Sequence, residues 1–270
     1  MTGSDKKKER FIHILNNTLK AQGYKEIAMN GPNELPTIYD PAFVNCATDL
    51  QALAAGIAKN PNARICLYGA PGTGKSAYAK YVAKILQKPY ILKKGSELLS
   101  MWVGGTEKNI AQAFEEAKAS DAVLVFDEVD SFLQDRNLAQ RSWEITQVNE
   151  MLVQMENFNG VFFATTNLMD NLDRASLRRF DLKVEFGFLR GDQVWRLFRA
   201  YAKELGIEAP KELEKEVKSL RFATPGDFAA IVRQSRFRPI EDGRDLLERL
   251  KDEIALKQVD GSGSMGFISH

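Results

Sequence analysis

The sequence contains an eight-residue loop, Gly69–Ser76, whose residue types and spacing are those of a phosphate-binding site. It fits the pattern G-x-x-x-x-G-K-[ST], in which glycines allow a tight turn whose backbone N–H groups point at phosphate oxygens. The loop follows an apolar run and precedes a helical pattern, so the positive end of a helix dipole would face the same anion. A bare match can arise by chance, but this context favours a nucleoside triphosphate site. Lys75 would reach the β- and γ-phosphates, and the Ser76 hydroxyl would ligate Mg²⁺.

Two adjacent carboxylates, Asp127 and Glu128, follow a second apolar run at Ala122–Phe126. Asp127 is placed to hold Mg²⁺ through one of its waters, and Glu128 can polarise the water that attacks the γ-phosphate. Acidic residues at the end of a strand can also be ordinary solvated side chains. Because these two follow a phosphate loop by about fifty residues, we interpret them as catalytic.

Polar residues beside two later apolar runs each allow two interpretations. Asn167 follows the run at Gly160–Ala164, where it could favour a turn or could help to position the attacking water. Arg178 and Arg179 precede the run at Leu182–Phe186. They could be surface charges, or they could act as arginine fingers that neutralise γ-phosphate charge in a neighbouring subunit. The residues alone leave both alternatives open.

The elements that must position these residues form an alternating pattern of strands and helices, which predicts an α/β fold with a parallel five-stranded sheet sandwiched by helices. Ligands of such sheets bind at the carboxyl ends of the strands. After residue 189 the pattern becomes helical, which predicts a small all-helical lid domain. We therefore expect four segments, namely residues 1–36 (a helix and linker), 37–189 (the α/β domain), 190–258 (the lid) and 259–270 (a flexible tail). The expected strands are Arg64–Tyr68, Tyr90–Lys93, Ala122–Phe126, Gly160–Ala164 and Leu182–Phe186. The expected helices include Asp5–Gln22, Ala47–Lys59 and Lys211–Leu220.

Composition excludes several classes of protein. The chain has 270 residues, 44% of them hydrophobic, which is enough for a globular core. Its net charge of +1 provides no global field for nucleic acid or acidic membranes, and no apolar stretch approaches the length of a membrane span. Two cysteines, Cys46 and Cys66, form no disulfide framework and suit a reducing cytosol. We expect a cytoplasmic protein without a membrane partner, for which nucleic acid is a disfavoured ligand.

Taken in order, these segments resemble the AAA ATPases of the AAA+ superfamily of P-loop NTPases, over roughly Thr37 to Lys257. The closest pattern is that of the protein-remodelling branch. In family terms, Gly69–Ser76 is similar to Walker A and Leu124–Glu128 to Walker B. Asn167 is similar to sensor 1, and Arg178–Asp181 belongs to a segment similar to the arginine-finger region. The segment Met155–Phe158 resembles the inter-subunit signalling segment.

A further resemblance concerns the segment Leu98–Glu107, which is similar to the first pore loop of the family. There an aromatic residue, a hydrophobic residue and a glycine project into the central channel of a hexamer. Trp102, Val103 and Gly104 fill these positions. Burial in the core is the commoner fate of a tryptophan, but the segment lies between the second strand and the next helix, as the family requires.

The adenine pocket departs from the family pattern in two places. Thr224–Phe228 stands where many relatives have a Gly-Ala pair or a sensor 2 arginine, so we assign no such arginine and expect Gly226 and Asp227 near the base. A Gly-Gly motif before Walker A is lacking, and backbone near Tyr39 and Asp40 is expected to meet the adenine. The other expected nucleotide contacts are Ala70, Pro71, Gly72, Thr73, Gly74, Lys75, Ser76 and Ala77.

The resemblance implies a Mg²⁺-dependent ATPase that forms a homo-oligomer, expected to be a hexamer, although the isolated chain could be a monomer. Hydrolysis of ATP to ADP and phosphate would drive remodelling or threading of a protein substrate. The alternatives are an ATP-dependent switch or scaffold that assembles on a partner without threading, and a DNA-linked loader. A small-molecule P-loop kinase needs neither arginines from a neighbour nor a pore loop, and a GTPase lacks support because no [NT]-K-x-D motif is present. The sequence does not specify the substrate.

Overall fold

A parallel β-sheet forms the centre of the structure, a computed structural model that describes residues 38–100, 102, 104–131, 142–168 and 174–261. The order of the five strands across the sheet is β2-β3-β4-β1-β5, and every pairing is parallel. This arrangement confirms the predicted five-stranded parallel sheet. The strands are β1 (Ala63–Tyr68), β2 (Tyr90–Lys94), β3 (Val123–Asp127), β4 (Val161–Thr166) and β5 (Leu182–Glu185).

Helices cover the sheet and continue after β5. Among the described residues, those before β5 are α1 (Leu50–Lys59), α2 (Lys75–Leu86), α3 (Gly95–Leu98), α4 (Gly105–Ala119), α5 (Ser142–Asn157) and α6 (Arg174–Leu177). Those after β5 are α7 (Gly191–Leu205), α8 (Glu214–Lys218), α9 (Pro225–Ser235) and α10 (Gly243–Gly261). Short 3₁₀ helices are Pro41–Phe43, Val129–Ser131 and Lys211–Leu213.

Both faces of the sheet are buried because successive side chains of each strand point to opposite sides. In β3, Leu124 and Phe126 pack with helices α4 and α5, whereas Val123 and Val125 pack with α1 and α2. All six residues of β4 are buried. This two-sided burial explains why the central strands β1, β3 and β4 read as nearly continuous apolar runs, with polar residues at or just beyond their carboxyl ends.

A third hydrophobic cluster holds the helices that follow β5. It includes Phe198 of α7, Phe228 of α9 and Leu250 of α10, each of which is at most 1% exposed. Ile38 and Phe43, from before β1, pack against the same cluster. The helical segment is therefore in contact with the chain that leads into the sheet. None of the described helices is both long and apolar enough to cross a membrane.

Several predicted helix boundaries are corrected by local hydrogen bonds. The helix predicted at Ala47–Lys59 begins at Leu50, because the Asp49 carboxylate caps it by accepting from the backbone N–H groups of Gln51 and Ala52. The segment predicted to be helical at Lys211–Leu220 is a 3₁₀ turn at Lys211–Leu213 followed directly by α8. It ends two residues early, at Lys218, where the Ser219 hydroxyl donates to the Glu216 carbonyl.

Two predictions fall wholly or partly outside the described residues. The predicted helix near Asp5–Gln22 lies in a part of the chain that the structure does not describe. The predicted tail at 259–270 is described only as far as Gly261, and up to that residue helix α10 continues. The described residues all belong to the compact unit Leu35–His270.

Candidate functional site

The loop between β1 and α2 has a backbone that only glycine can adopt at its first position. Gly69 has φ of +132°, and a Cβ atom placed there would lie 2.1 Å from the carbonyl oxygen of Phe186. Gly74, with φ of +103°, precedes the first residue of α2 and has no side chain to cap the helix. The loop therefore passes close to β5 and leads directly into a helix N-terminus, which is the arrangement that binds anions.

The ammonium group of Lys75 is the centre of this loop. It donates hydrogen bonds to the carbonyl oxygens of Gly69 at 2.7 Å and Ala70 at 3.0 Å, and to the side-chain oxygen of Asn167 at 2.8 Å. The residue is only 7% exposed. Burial lowers the pKa of Lys75 to about 8, although the nearby carboxylates of Asp127, Asp130 and Glu128 oppose this shift. A buried cation is therefore held where the loop, β3 and β4 meet.

A second group of hydrogen bonds joins the ends of β3 and β4 to the loop. The Ser76 hydroxyl donates to the Asp127 carboxylate at 2.8 Å, and the Thr165 hydroxyl donates to the same oxygen. Thr165 Oγ1 also accepts from the backbone N–H of Glu128 at 3.2 Å. Glu128 has φ of +58°, a left-handed conformation that non-glycine residues seldom adopt. Hydrogen bonds with Thr165 of β4 thus hold Asp127 and the backbone of Glu128 in place at the end of β3.

Asp130 holds the end of β4 in a similar way. Its carboxylate accepts from the Thr166 hydroxyl, and its other oxygen lies 3.4 Å from the backbone nitrogen of Asn167. These contacts place Asn167 so that its side chain reaches Lys75. Sequence reasoning did not include Asp130 or Thr165 in the site. The available signal was the spacing Asp127-Glu128-Val129-Asp130 and the threonines that directly precede Asn167.

A cavity of about 320 Å³ opens above the loop. Its polar end is formed by loop residues and by Asp127, Glu128, Thr165 and Asn167. Its other end is mainly apolar and combines residues from before β1 with residues of α7 and α9. The apolar lining consists of Ile38, Tyr39, Phe43, Val44, Leu197, Tyr201, Pro225, Gly226 and Ala229. A cavity of this size, with one polar and one apolar end, fits a molecule that joins an aromatic base to phosphates.

The structure brings most of the predicted nucleotide-binding residues to this cavity. Those that line it are Tyr39, Asp40, Pro71, Gly72, Gly74, Lys75, Ser76, Ala77 and Gly226. Ala70 and Thr73 contribute to the loop behind the lining, since the Thr73 hydroxyl donates to the Ala70 carbonyl at 2.7 Å. Asp227 is not among the lining residues. Its carboxylate is 2% exposed, caps α9 at Thr224 and forms an ion pair with Lys257.

Arg178 and Arg179 lie at the amino ends of the strands, which is the end of the sheet opposite the loop. They precede β5, whose start is tied to the start of β1 by two 2.8 Å hydrogen bonds between Arg64 and Asp181. From Arg64 to the end of β1 the chain rises four residues, roughly 13 Å, so the sheet separates both arginines from the loop at the end of β1. Both are exposed, and Arg179 forms an ion pair with Glu156. Neither lines the cavity of its own chain.

Trp102 lies in solvent, between α3 and α4. The residue is 80% exposed, and its backbone carbonyl accepts from Gly105 at 3.0 Å. Gly104, the N-cap residue of α4, has φ of +78° and open space where a side chain would be. Burial in the core, the alternative for this tryptophan, does not occur. Val103 falls outside the described residues.

The sheet order, the glycine loop after β1 and the acids after β3 define a P-loop NTPase. Residues 65–188 match the family model described as "ATPase family associated with various cellular activities (AAA)". The chain is 33% identical over 183 residues to "Protein SAV" of Sulfolobus acidocaldarius, a match that covers 65% of this chain and 24% of that protein. It is 30% identical over 198 residues to "Protein CdcH" of Halobacterium salinarum, covering 68% of this chain and 26% of that protein. The chain therefore belongs to the AAA ATPases, and it spans about a quarter of the length of these curated relatives.

Proposed function

We propose that this chain binds ATP with Mg²⁺ in the cavity above the loop and hydrolyses it to ADP and phosphate. The observation that carries the proposal is the convergence of four groups at one end of that cavity. These are the Lys75 ammonium, the Ser76 hydroxyl, the Asp127 carboxylate and the Asn167 side chain, joined by hydrogen bonds of 2.8 Å. A cation, a hydroxyl and a carboxylate beside a helix N-terminus are the groups that phosphoryl transfer requires.

Ser76 and Asp127 would hold the magnesium ion. Their oxygens are already 2.8 Å apart, and Mg²⁺ prefers oxygen ligands of this kind. Within the described part of the chain, no group of three or more His, Cys, Asp or Glu residues could hold a metal alone. This fits an ion that takes few protein ligands and completes its shell with phosphates and waters. When bound, it would neutralise charge on the β- and γ-phosphate oxygens.

Glu128 is the residue we assign to polarising the attacking water. Its backbone is held by Thr165 in a left-handed conformation, and the residue lines the cavity next to Asp127. Asn167 would help to align the same water, because it lies at the end of the adjacent strand and already contacts Lys75. Hydrolysis requires one base and one amide that orients the water, and the proposed groups are Glu128 after β3 and Asn167 after β4.

Replacing Glu128 with glutamine tests this assignment. Glu128→Gln keeps the shape of the side chain but removes the base, so we expect ATP affinity within about threefold of wild type and turnover lower by about 10²–10⁴-fold. Phosphate release and equilibrium binding of a fluorescent ATP analogue measure the two effects. The matched control is Glu115→Gln, an exposed glutamate of α4. Wild-type turnover in Glu128→Gln would reject the assignment.

We also propose that the active site is shared between copies of this chain in a homo-oligomer, of which a hexamer is the form we expect. Arg178 and Arg179 are exposed at the amino ends of the strands, whereas the loop lies at the carboxyl ends. They therefore cannot contact phosphates bound by their own chain. They could reach phosphates that a neighbouring copy binds. In that position a guanidinium would stabilise the charge that develops on the transferred phosphoryl group.

Mixing two inactive variants tests the shared site. The double variant Arg178→Ala, Arg179→Ala should lose turnover by about 10³-fold. In a mixed oligomer, a neighbouring Glu128→Gln chain would supply intact arginines to the active site of the double variant. Combined in equal amounts, they should recover roughly a quarter of wild-type ATPase activity per chain, because half the sites keep Glu128 and half of those receive arginines. Light scattering with ATP confirms that both variants assemble. Assembly of both without any recovery on mixing would contradict sharing.

Coupling of hydrolysis to a polypeptide is the further step we propose, with Trp102, Val103 and Gly104 as the residues that contact the substrate. The support is the exposure of Trp102 and its place at a glycine-containing turn directly before α4. An exposed indole can grip varied side chains through apolar contact. A switch or scaffold that threads nothing would make no use of it.

The ratio of ATPase rates with and without an unfolded polypeptide tests this role. With reduced, carboxymethylated lactalbumin as the probe, Trp102→Ala should lose at least about half of the stimulation seen in wild type, and Trp102→Phe should retain most of it. Phe237→Ala is the matched control, since Phe237 is an aromatic residue 90% exposed on the helical segment. Equal stimulation of Trp102→Ala and wild type would reject the pore role, and stimulation by single-stranded DNA instead would indicate a loader.

A further inference from the structure

We propose that Lys257, near the end of α10, is a positioning residue for the nucleotide site, because it holds the first turn of α9 against the phosphate loop. This inference rests on the proposed function of the cavity. Lys257 does not line the cavity itself. It acts through a cluster of three residues, Thr224, Asp227 and Lys257, called here the α9 cluster.

The first turn of α9 contacts the phosphate loop backbone to backbone. The N–H of Gly226 donates to the carbonyl oxygen of Gly72 at 2.9 Å. A Cβ atom at Gly226 would lie 2.8 Å from the Cα of Gly72, so any side chain there would force the two segments apart. Pro225, Gly226 and Ala229 line the cavity opposite the loop. The position of this turn therefore sets the distance between two walls of the proposed nucleotide site.

A buried carboxylate organises that turn. Asp227 is 2% exposed and accepts from the backbone N–H of Thr224 at 2.7 Å and from its hydroxyl at 3.0 Å. Together these bonds cap the N-terminus of α9. A buried charge is costly unless it is paired and fully hydrogen-bonded. Asp227 therefore needs a counter-charge if it is to cap the helix as a carboxylate.

Lys257 supplies that counter-charge from 30 residues along the chain. Its ammonium forms an ion pair with Asp227 and donates to the Thr224 hydroxyl at 2.8 Å. The same hydroxyl oxygen lies 2.8 Å from the place where a Cβ of Gly72 would be. A continuous series of contacts thus runs from α10 through the α9 cluster to the phosphate loop.

The hydrophobic core already stabilises the helical segment, so Lys257 is not needed merely to hold it together. Phe228, Ile231, Leu250 and Ile254 of α9 and α10 are all buried in the third cluster. Ala223 and Phe228 of this core flank the first turn of α9, whereas the polar groups of the turn itself are held by the α9 cluster. Without Lys257, the Asp227 carboxylate would lose its counter-charge, and the turn at Pro225 and Gly226 would be less firmly held on Gly72. Nucleotide should then dissociate faster, while Glu128 and the hydrolytic groups on the sheet keep their places.

Helix α10 offers a matched control at Lys251. Its side chain is 35% exposed, against 33% for Lys257, and its ammonium also pairs with carboxylates, those of Glu216 at 2.6 Å and Glu248 at 2.8 Å. These partners lie on α8 and on α10 itself, and neither lines the cavity. Substituting Lys251 therefore removes a similarly exposed lysine from the same helix, together with its pairs to exposed carboxylates, without touching the buried Asp227 of the α9 cluster.

The test measures nucleotide affinity and dissociation rate in four variants. Lys257→Met should raise the Kd for Mg²⁺-ADP about 5–20-fold through faster dissociation of a fluorescent ADP analogue, and should raise KM for ATP more than it lowers kcat. Lys257→Arg should restore the Kd to within about threefold of wild type, because a guanidinium can pair with the same carboxylate. Lys257→Gln, which can still donate to Thr224, should be intermediate. Lys251→Met should match wild type.

The outcomes separate this inference from the proposed function. If wild type binds neither ADP nor ATP, the proposed function fails and this inference fails with it. If wild type binds and Lys257→Met binds equally well with the same dissociation rate, the inference alone is overturned, even where the unfolding temperature of the variant has dropped. Should Lys257→Met not fold, the dissociation rates of Lys257→Arg and Lys257→Gln decide the matter. Equal rates in those two variants would overturn the inference.

Discussion

The structure of the site depends on one buried cation, the ammonium of Lys75. It joins the phosphate loop to the end of β4, because the same nitrogen donates to the carbonyl oxygens of Gly69 and Ala70 and to Asn167. Burying an ammonium is costly, and the loop carbonyls and nearby carboxylates reduce that cost. We infer that phosphate oxygens would take over these contacts and supply the negative charge that a buried cation favours.

The parallel sheet explains why the proposed catalytic groups divide between the carboxyl ends and the amino ends of its strands. The loop, the two acids and Asn167 all lie at the carboxyl ends of β1, β3 and β4. Arg178 and Arg179 lie at the opposite end of the sheet, before the amino end of β5. With the first turn of α9 lining the cavity opposite the loop, a single copy would provide a binding site, and under the proposed sharing a second copy would complete the catalytic one.

The sequence predicted the sheet well because the three central strands, β1, β3 and β4, are short apolar runs with polar residues at or just beyond their ends. It also indicated the loop and the acids, whose spacing is local. For Thr165 and Asp130 its only signal was their closeness to Asn167 and Asp127, and it gave no signal for Lys257, because the importance of all three arises from contacts between segments 30 or more residues apart. It placed Asp227 near the base on motif position alone, whereas the carboxylate is directed to Thr224 and Lys257. Local patterns predict elements, and the register between elements determines which polar groups meet.

The most direct test of this account is the proton uptake that accompanies nucleotide binding, measured by calorimetry in buffers of different ionisation enthalpy. Lys75 has a pKa of about 8 before nucleotide binds, and phosphates beside it should raise that pKa, so binding should take up protons. With Mg²⁺ and a non-hydrolysable ATP analogue, we predict proton uptake that is small at pH 7 and grows as the pH rises to 9, because unbound Lys75 loses its proton across this range. Binding without uptake that grows across this range would contradict the claim that the Lys75 ammonium receives the phosphates.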